Sequence, residues 1–206
     1  MAAYTRSTRR KLATFALLAA ALGCSRTPQV TLPHVDPESA VDAAFELYDA
    51  DKNGVLDRQD LAKCPALLMR LEAYDTDSSG TIDRQEMAAR VQELLLDKAG
   101  LARLKCQVTY QGKPLAGAQV VFEPESYLGD EIKPASGVTN QQGLATIKIA
   151  DEHLSQIERK LKPLHYGTYK VRITHPRVKL PPKYNTETEL GYETEIGNPY
   201  VTFALK

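Results

Sequence analysis

The fold of the first half of the chain is decided by the stretch DADKNGVLDRQD, residues 49–60. Acids or an amide stand at its first, third and fifth positions, glycine stands at the sixth, and acids return at the ninth and twelfth. A second stretch, DTDSSGTIDRQE at residues 75–86, repeats this arrangement and shares an aliphatic residue at position eight and the letters DRQ after it. A single such stretch could be a solvated acidic turn, but two matching copies so close together indicate one structural unit used twice.

The oxygen-bearing side chains of both stretches have the spacing that a hard divalent cation requires. Ca²⁺ takes about six to eight oxygen ligands, and alternate residues of a tight loop can all point inward. Glycine at position six supplies the positive φ that lets the chain wrap around the ion. The predicted ligands are Asp49, Asp51, Asn53, Val55 through its carbonyl, Asp57 and Asp60 in loop one, and Asp75, Asp77, Ser79, Thr81, Asp83 and Glu86 in loop two.

These loops and their flanks, over residues 37–98, resemble the EF-hand family. The resemblance implies two helix–loop–helix units that bind two Ca²⁺ ions. Asp60 stands where the family usually carries glutamate, and its side chain is one methylene shorter than that of Glu86. We therefore expect loop two to bind more tightly than loop one. Extracellular modules of this kind work with dissociation constants of about 10⁻⁴ to 10⁻³ M, so calcium is predicted to hold the module in shape and not to signal.

Helical patterns flank both loops. Asp36 followed by Pro37 is typical of a helix N-terminus, and apolar residues recur at helical spacing from there to loop one and again after loop two, ending near Gly100. The fourteen residues between the loops, 61–74, contain Pro65. They predict two short helices that meet at a sharp bend near Cys64.

Charge is distributed unevenly along the chain. Residues 36–100 contain fifteen acids against seven Lys or Arg, whereas residues 101–206 contain eleven acids against fourteen bases. An acidic first part favours cation binding there. The sequence contains no RNP, zinc-finger or arginine-rich pattern, which argues against a nucleic-acid partner.

The N-terminus has the features of an export signal. Basic residues at 6, 9, 10 and 11 precede an apolar run over residues 12–23, which is shorter than the roughly 20 residues that a spanning helix needs. The letters ALGC at residues 21–24 resemble a bacterial lipoprotein signal, which implies that Cys24 is lipidated after cleavage. The alternative is ordinary cleavage near Gly23 that leaves a free cysteine. Residues 1–23 are thus predicted to be the signal peptide and residues 24–35 a linker, with the mature protein lipid-anchored in the cell envelope on either membrane.

A period of two replaces the helical pattern from Leu104 onward. Short alternating segments separated by Gly and Pro turns predict an antiparallel sandwich or barrel over residues 101–206, interrupted by a short helix at residues 151–161. The segments VTYQGKPLAGAQVVFEP, GVTNQQGLATI and GTYKVRI resemble the carboxypeptidase-regulatory or transthyretin-like domain. This resemblance implies a seven-stranded prealbumin-like β-sandwich without catalytic residues. The expected fold class is α+β in two domains, with the EF-hand pair at residues 36–100.

The connection from residue 175 to residue 200 is unusually long, and such connections are often functional. It carries Tyr184, Tyr192 and Tyr200 among prolines and glutamates. One interpretation is a partner contact surface that contains these tyrosines. The alternative is an ordered cap that covers a sheet edge.

Two cysteines, Cys64 and Cys106, remain after the predicted cleavage. In an exported protein they are candidates for a disulfide that would join the two halves. The alternative is two buried thiols.

No motif of an enzyme accompanies these features. The chain lacks H-E-x-x-H, C-x-x-C and G-x-S-x-G patterns, a Walker loop and a dinucleotide fingerprint. A zinc site made from scattered histidines and a hydrolase with an unfamiliar site have no motif in support. Two hypotheses remain. One is a membrane-tethered, non-catalytic binding or structural module whose partner is an envelope protein or glycan. The other is a calcium-responsive regulatory or accessory subunit of an envelope enzyme or transporter.

Overall fold

A computed structural model of the chain describes residues 33–96 and 101–206. The predicted signal peptide, Cys24, almost all of the linker and the helix end near Gly100 lie outside the described residues. None of the helices in the described part is long and apolar enough to cross a membrane.

The first half is helical. The helices are α1 Pro37–Tyr48, α2 Pro65–Met69, α3 Leu71–Tyr74 and α4 Arg84–Leu96, with a 3₁₀ turn at Asp60–Lys63. The predicted start of α1 is confirmed, since the Asp36 carboxylate accepts a hydrogen bond from the Ser39 amide and Pro37 is the first helical residue. The predicted break at Cys64 is present, because Cys64 is not helical and Pro65 opens α2. The connection holds three short helical segments and not two, since a second break at Arg70 separates α2 from α3.

The second half is mainly β-structure. Its strands are β1 Leu101–Ala102, β2 Leu104–Tyr110, β3 Lys113–Pro114, β4 Gln119–Pro124, β5 Ala135–Val138, β6 Leu144–Ile149, β7 Leu164–His165, β8 Thr168–Thr174, β9 Gly191–Glu193 and β10 Tyr200–Leu205. The predicted short helix is present as a 3₁₀ turn at Asp151–His153 followed by α5 Gln156–Leu161. Ser155 and Glu158 form a reciprocal capping box at the start of α5.

One curled sheet organises this half. Its strand order is β10-β2-β6-β5-β4-β8-β9, with β3 beside β2, while β1 and β7 form a separate pair. Phe122 of β4 packs edge-on against Phe203 of β10, with ring centroids 6.2 Å apart. Since three strands separate β4 from β10 in the order, this contact requires the sheet to fold back on itself around a common core.

One pairing differs from the predicted antiparallel arrangement. Strand β10 runs parallel to β2, with Val201 opposite Cys106. The period-two pattern identifies the faces of a strand but carries no information about its direction. The direction of β10 follows instead from the path of the long connection that precedes it. The resemblance to a seven-stranded prealbumin-type sandwich therefore stays a prediction.

The two halves pack against each other through a continuous apolar core. Tyr48 at the end of α1 contacts Tyr127 edge-on, with centroids 6.4 Å apart. A Cβ atom at Gly191 of β9 would overlap the backbone of Pro65 and Ala66, so α2 lies directly on this strand. In the structure the predicted disulfide is not formed, because Cys64 and Cys106 are both free, buried thiols.

Candidate metal centre

The two acidic loops lie back to back. Leu56 and Ile82, at position eight of each loop, form a short antiparallel bridge in which each amide donates to the other's carbonyl at 2.9 and 3.0 Å. Both side chains are fully buried. The paired loops therefore form one rigid unit, which positions the ligands of both sites together.

Positive φ angles shape the turn in each loop. Gly54 and Gly80 have φ of 86° and 85°, as the sequence predicts. Lys52 and Ser78, at position four, also have positive φ, which the sequence did not reveal because neither is glycine. The resulting turn directs backbone amides inward.

The first acid of each loop receives these amides. Asp49 accepts hydrogen bonds from the amides of Asn53 at 3.1 Å and Gly54 at 3.0 Å. Asp75 accepts the equivalent bonds from Ser79 at 2.9 Å and Gly80 at 2.8 Å. The loops therefore hold their first ligand in a fixed orientation.

The acids at position twelve occupy equivalent places despite their different lengths. The Asp60 carboxylate accepts from the amides of Ala50 and Asp57, both at 3.2 Å. Glu86 accepts from Thr76 at 2.6 Å and Asp83 at 3.0 Å. In both loops each carboxylate oxygen faces backbone amides of its own loop, so the shorter Asp60 still closes loop one.

The acids at position nine have a second role. Asp57 accepts from the Asp60 amide at 3.0 Å, and Asp83 accepts from the Glu86 amide at 2.8 Å. Each pair is thus a reciprocal cap of the kind that starts a helix. Asp57 and Asp83 therefore fix the acid at position twelve.

Carboxylates converge in both loops. Oxygens of Asp49, Asp51 and Asp60 lie within 4.8 Å of one another, and the same holds for Asp75, Asp77 and Glu86. Three negative charges at this separation repel one another unless a cation lies between them. All of these candidate ligand atoms are hard carboxylate oxygens, which suit Ca²⁺ and not soft metals. The other predicted ligands, Asn53, Val55, Asp57, Ser79, Thr81 and Asp83, belong to the same two loops.

Hydrogen bonding lowers the pKa of two acids of loop two, Asp77 and Glu86. The backbone amide of Ser79, followed by its hydroxyl, lowers the pKa of Asp77. Burial acts to raise the pKa of Glu86, but donors from Asp83 and Thr76 outweigh it and the net change is downward. Both acids are therefore charged at neutral pH, as cation binding requires.

Comparison with known proteins supports this assignment for the first half. The EF hand family model matches residues 41–65 and 69–91. Together with the converging acids, this match indicates that the loops bind calcium. No curated protein matches the chain. A solved structure, the 9R-lipoxygenase from Cyanothece PCC8801, is 13% identical, and the alignment covers 81% of this chain and 23% of that one; its TM-score of 0.27 is too low to carry an argument.

The structure does not bring the three predicted surface tyrosines together. Tyr184 and Tyr192 are buried, and only Tyr200 is well exposed, at 56%. The Tyr184 hydroxyl accepts a hydrogen bond from the Lys206 amide at 2.9 Å, and Tyr192 packs edge-on against Phe122 with centroids 5.5 Å apart. Tyr184 and Tyr192 are thus core residues, and the long connection agrees better with the alternative of an ordered cap.

A polar cluster between the halves was missed by the sequence interpretation. Glu193 of β9 has a fully buried side chain and pairs with Arg70, at 3.3 Å, and with Arg90 of α4. Glu125, also buried, accepts a hydrogen bond from the Tyr48 hydroxyl at 2.9 Å and lies 3.4 Å from the Lys170 amine. Only the tertiary structure places these distant acids and bases together.

Proposed function

We propose that the chain is a calcium-stabilised, non-catalytic module of the cell envelope. In this proposal the EF-hand pair and the β domain form one body, and bound Ca²⁺ stabilises that body as a whole. Asp49, Asp51 and Asp60 hold one ion, and Asp75, Asp77 and Glu86 hold the other. The ion supplies positive charge that offsets the mutual repulsion of these acids.

The observation that carries the proposal is the position of the residues next to the ligands. Tyr48 and Tyr74, which immediately precede the first acid of each loop, are both buried. Tyr48 donates to Glu125 of the β domain. On the far side of loop two, Arg90 lies one helical turn after Glu86 and pairs with Glu193. Residues that contact the β domain are therefore neighbours, in sequence, of the predicted calcium ligands. A change in the geometry of a loop would thus also affect the interface between the halves.

Mass action gives the size of the expected effect. An ion present at a hundred times its dissociation constant stabilises the folded state by about 2.7 kcal/mol. The total stability of a domain is about 5 to 15 kcal/mol. Calcium at such a concentration would thus provide a substantial part of the stability of the module.

A thermal melt of the full chain tests the proposal. Helical and β signals are followed with calcium in excess and then with excess chelator. We expect a single shared transition that calcium moves to higher temperature. Two separate transitions, of which only the helical one responds, would contradict the proposal of one body. The absence of any response would contradict the role of calcium.

A regulatory subunit of an envelope enzyme or transporter is the weaker candidate. It requires the helices to move relative to the β domain when calcium binds. The close contact of α2 with Gly191 and the continuous apolar core oppose such movement. If calcium changed the affinity for a partner without changing stability, this alternative would be preferred.

The placement in the envelope rests on the sequence of the N-terminus. We propose that Cys24 carries the lipid anchor, because it follows the apolar run in the ALGC stretch. Labelling of cells with a radioactive or alkyne fatty acid should mark the wild-type protein and not the Cys24→Ala variant. Equal labelling of both would refute the anchor.

A further inference from the structure

Four basic side chains line one groove of the β domain. Arg103 immediately precedes β2 and Lys105 lies at its start, while Lys160 lies in the last turn of α5 and Lys162 immediately follows it. The groove has a volume of ≈ 430 Å³, within the range of about 300 to 1,000 Å³ that is typical of small-molecule sites. No residue of the calcium loops lines it, so this site is independent of the function proposed above.

Among the residues that the structure describes, the four cations have no acidic partner. Within residues 33–96 and 101–206, no carboxylate lies within 4.0 Å of any of their nitrogens, whereas Arg84 and Lys148 each pair with an aspartate. The adjoining depression contains Glu195, but its carboxylate binds Arg70 and Asn198. Four like charges in one cleft create a positive field that attracts an anion.

The backbone at Lys162 is strained. This residue ends α5 in the left-handed conformation, with φ 51° and ψ 60°, a position that usually carries glycine. A side chain kept at such a position often has a function that offsets the strain. Here the Lys162 side chain lines the groove and adds to its charge.

An apolar wall adjoins the charges. Tyr200 is 56% exposed and lines the groove beside Pro199 and Leu161. The Lys105 amine lies 5.7 Å from the centre of the Tyr200 ring. Cations beside an open aromatic face suit a ligand that has both anionic groups and a ring.

We propose that this groove binds an acidic saccharide. Sulfate, phosphate or carboxylate groups of the saccharide pair with Lys105, Lys160, Lys162 and Arg103. A sugar ring packs on Tyr200. Calorimetric titration of the full chain with a heparin-derived sulfated hexasaccharide, in the presence of calcium, measures this binding.

Lys162→Gly is the most informative variant because it separates binding from folding. It removes one charge from the groove and also relieves the left-handed backbone, so the melting temperature should stay equal or rise. The affinity for the hexasaccharide should fall about tenfold, as expected for the loss of a charge-assisted hydrogen bond. Tyr200→Ala should also weaken binding. Unchanged affinity in both variants would overturn the proposal.

Lys113→Ala is the matched control. Lys113 is an exposed lysine of β3 that lies opposite Tyr110 of β2 in the sheet. Tyr110 is about 17 Å from Lys105 along β2, at about 3.3 Å per residue. Its removal should leave the affinity unchanged. If Lys113→Ala weakened binding as much as Lys162→Gly, attraction would be diffuse and the proposed site would be wrong.

Two further ligands test the chemical class. A neutral hexasaccharide should not bind, since it lacks the anionic groups. A single-stranded oligonucleotide of equal charge should bind more weakly than the sulfated saccharide. Tighter binding of the oligonucleotide, or equal binding of the neutral saccharide, would overturn the assignment to an acidic saccharide.

Discussion

At the scale of single residues, we expect the difference between Asp60 and Glu86 to set the order of calcium affinity of the two loops. Both acids close their loops through backbone amides, but Asp60 accepts from its amides at 3.2 Å and Glu86 has a 2.6 Å bond. Because its side chain is shorter, Asp60 has less reach than Glu86 to bring both carboxylate oxygens to an ion. We therefore expect loop two to bind calcium more tightly than loop one.

Glu86→Gln and Asp60→Asn test that order. Each change keeps the size of the side chain and removes one ligand charge, which lowers calcium affinity. We expect Glu86→Gln to weaken the tighter site by about tenfold or more, and Asp60→Asn to weaken the other site. Calorimetric titration with calcium separates them. Glu46→Gln, at an exposed acid of α1 outside the loops, is the control. Loss of the tighter site in Asp60→Asn would reverse the assignment.

The backbone conformation of the loops gives a second residue-scale prediction. A Cβ atom at Gly54 or Gly80 would meet no atom within 4 Å, so the cost of Gly54→Ala or Gly80→Ala comes from positive φ alone. We expect a loss of about 1 to 2 kcal/mol for each. At position four, Lys52→Gly and Ser78→Gly should instead stabilise, because those residues already have positive φ. Urea unfolding with chelator measures all four. Destabilisation by the glycine variants would show that these side chains contribute contacts that outweigh the strain.

At the scale of elements, Glu193 of β9 connects the C-terminal end of α2, through Arg70, and α4, through Arg90, to the sheet. Removal of one partner from a buried ion pair leaves the other charges without compensation. Glu193→Ala should therefore reduce the free energy of unfolding by about 3 kcal/mol. Glu195→Gln is the matched control, because Glu195 also pairs with Arg70 but is 37% exposed, and its loss should cost less than about 1 kcal/mol. Equal effects of the two variants in urea unfolding would argue that β9 contributes no special link. Weaker calcium binding in Glu193→Ala alone would extend the link to loop two.

The elements also divide into those that the sequence predicts and those that it does not. The loops were predictable because their ligands, glycines and flanking helices are local in sequence, and Asp36 and Pro37 mark the start of α1 directly. The parallel direction of β10 was not, since it depends on a connection of about twenty-five residues. The buried positions of Tyr184 and Tyr192 were missed for a related reason: tyrosine is amphipathic, and only the path of the chain decides which of its ends meets water.

At the scale of the whole molecule, the interface between the halves contains both apolar contacts and buried charges. The sequence predicts neither the apolar contacts nor the charge pairs. Cys64 and Cys106 suggested a covalent link, but both thiols are free. Burial is the main cause that raises the pKa of both thiols. Tyr48, Glu125 and Glu193 make the link instead. These residues come from distant parts of the chain, so a single sequence cannot pair them. A body joined in this way should unfold as one unit, which makes stability at any pH a property of the whole chain.

His165 in β7 predicts that the protein loses stability as the pH becomes acidic. Burial, above the smaller influences of Glu158, Lys133 and Glu131, lowers the pKa of His165 from 6.5 to about 4. Its ring nitrogen Nδ1 accepts a hydrogen bond from the Lys133 amide at 3.1 Å, which requires the unprotonated form. Between about pH 6.5 and pH 4 the unfolded chain binds a proton that the folded chain does not, so stability falls as the pH falls.

His165→Gln should flatten that decline, because glutamine keeps an acceptor for the Lys133 amide and cannot be protonated. Where the unfolded chain binds one proton more than the folded chain, the free energy of unfolding falls by about 1.4 kcal/mol for each unit by which the pH is lowered. Urea unfolding at a series of pH values, with excess chelator throughout, removes the separate effect of acid on calcium binding. His153→Gln is the control, since His153 is an exposed histidine that lines a cavity together with His165, and the stability profile of this variant should match that of the wild type. If the profile of His165→Gln were as steep as that of the wild type, His165 would not be the source of the acid instability. Glu125 cannot supply it, because burial raises its pKa despite Lys170, and a group of that kind loses its stabilising contribution as the pH rises, not as it falls.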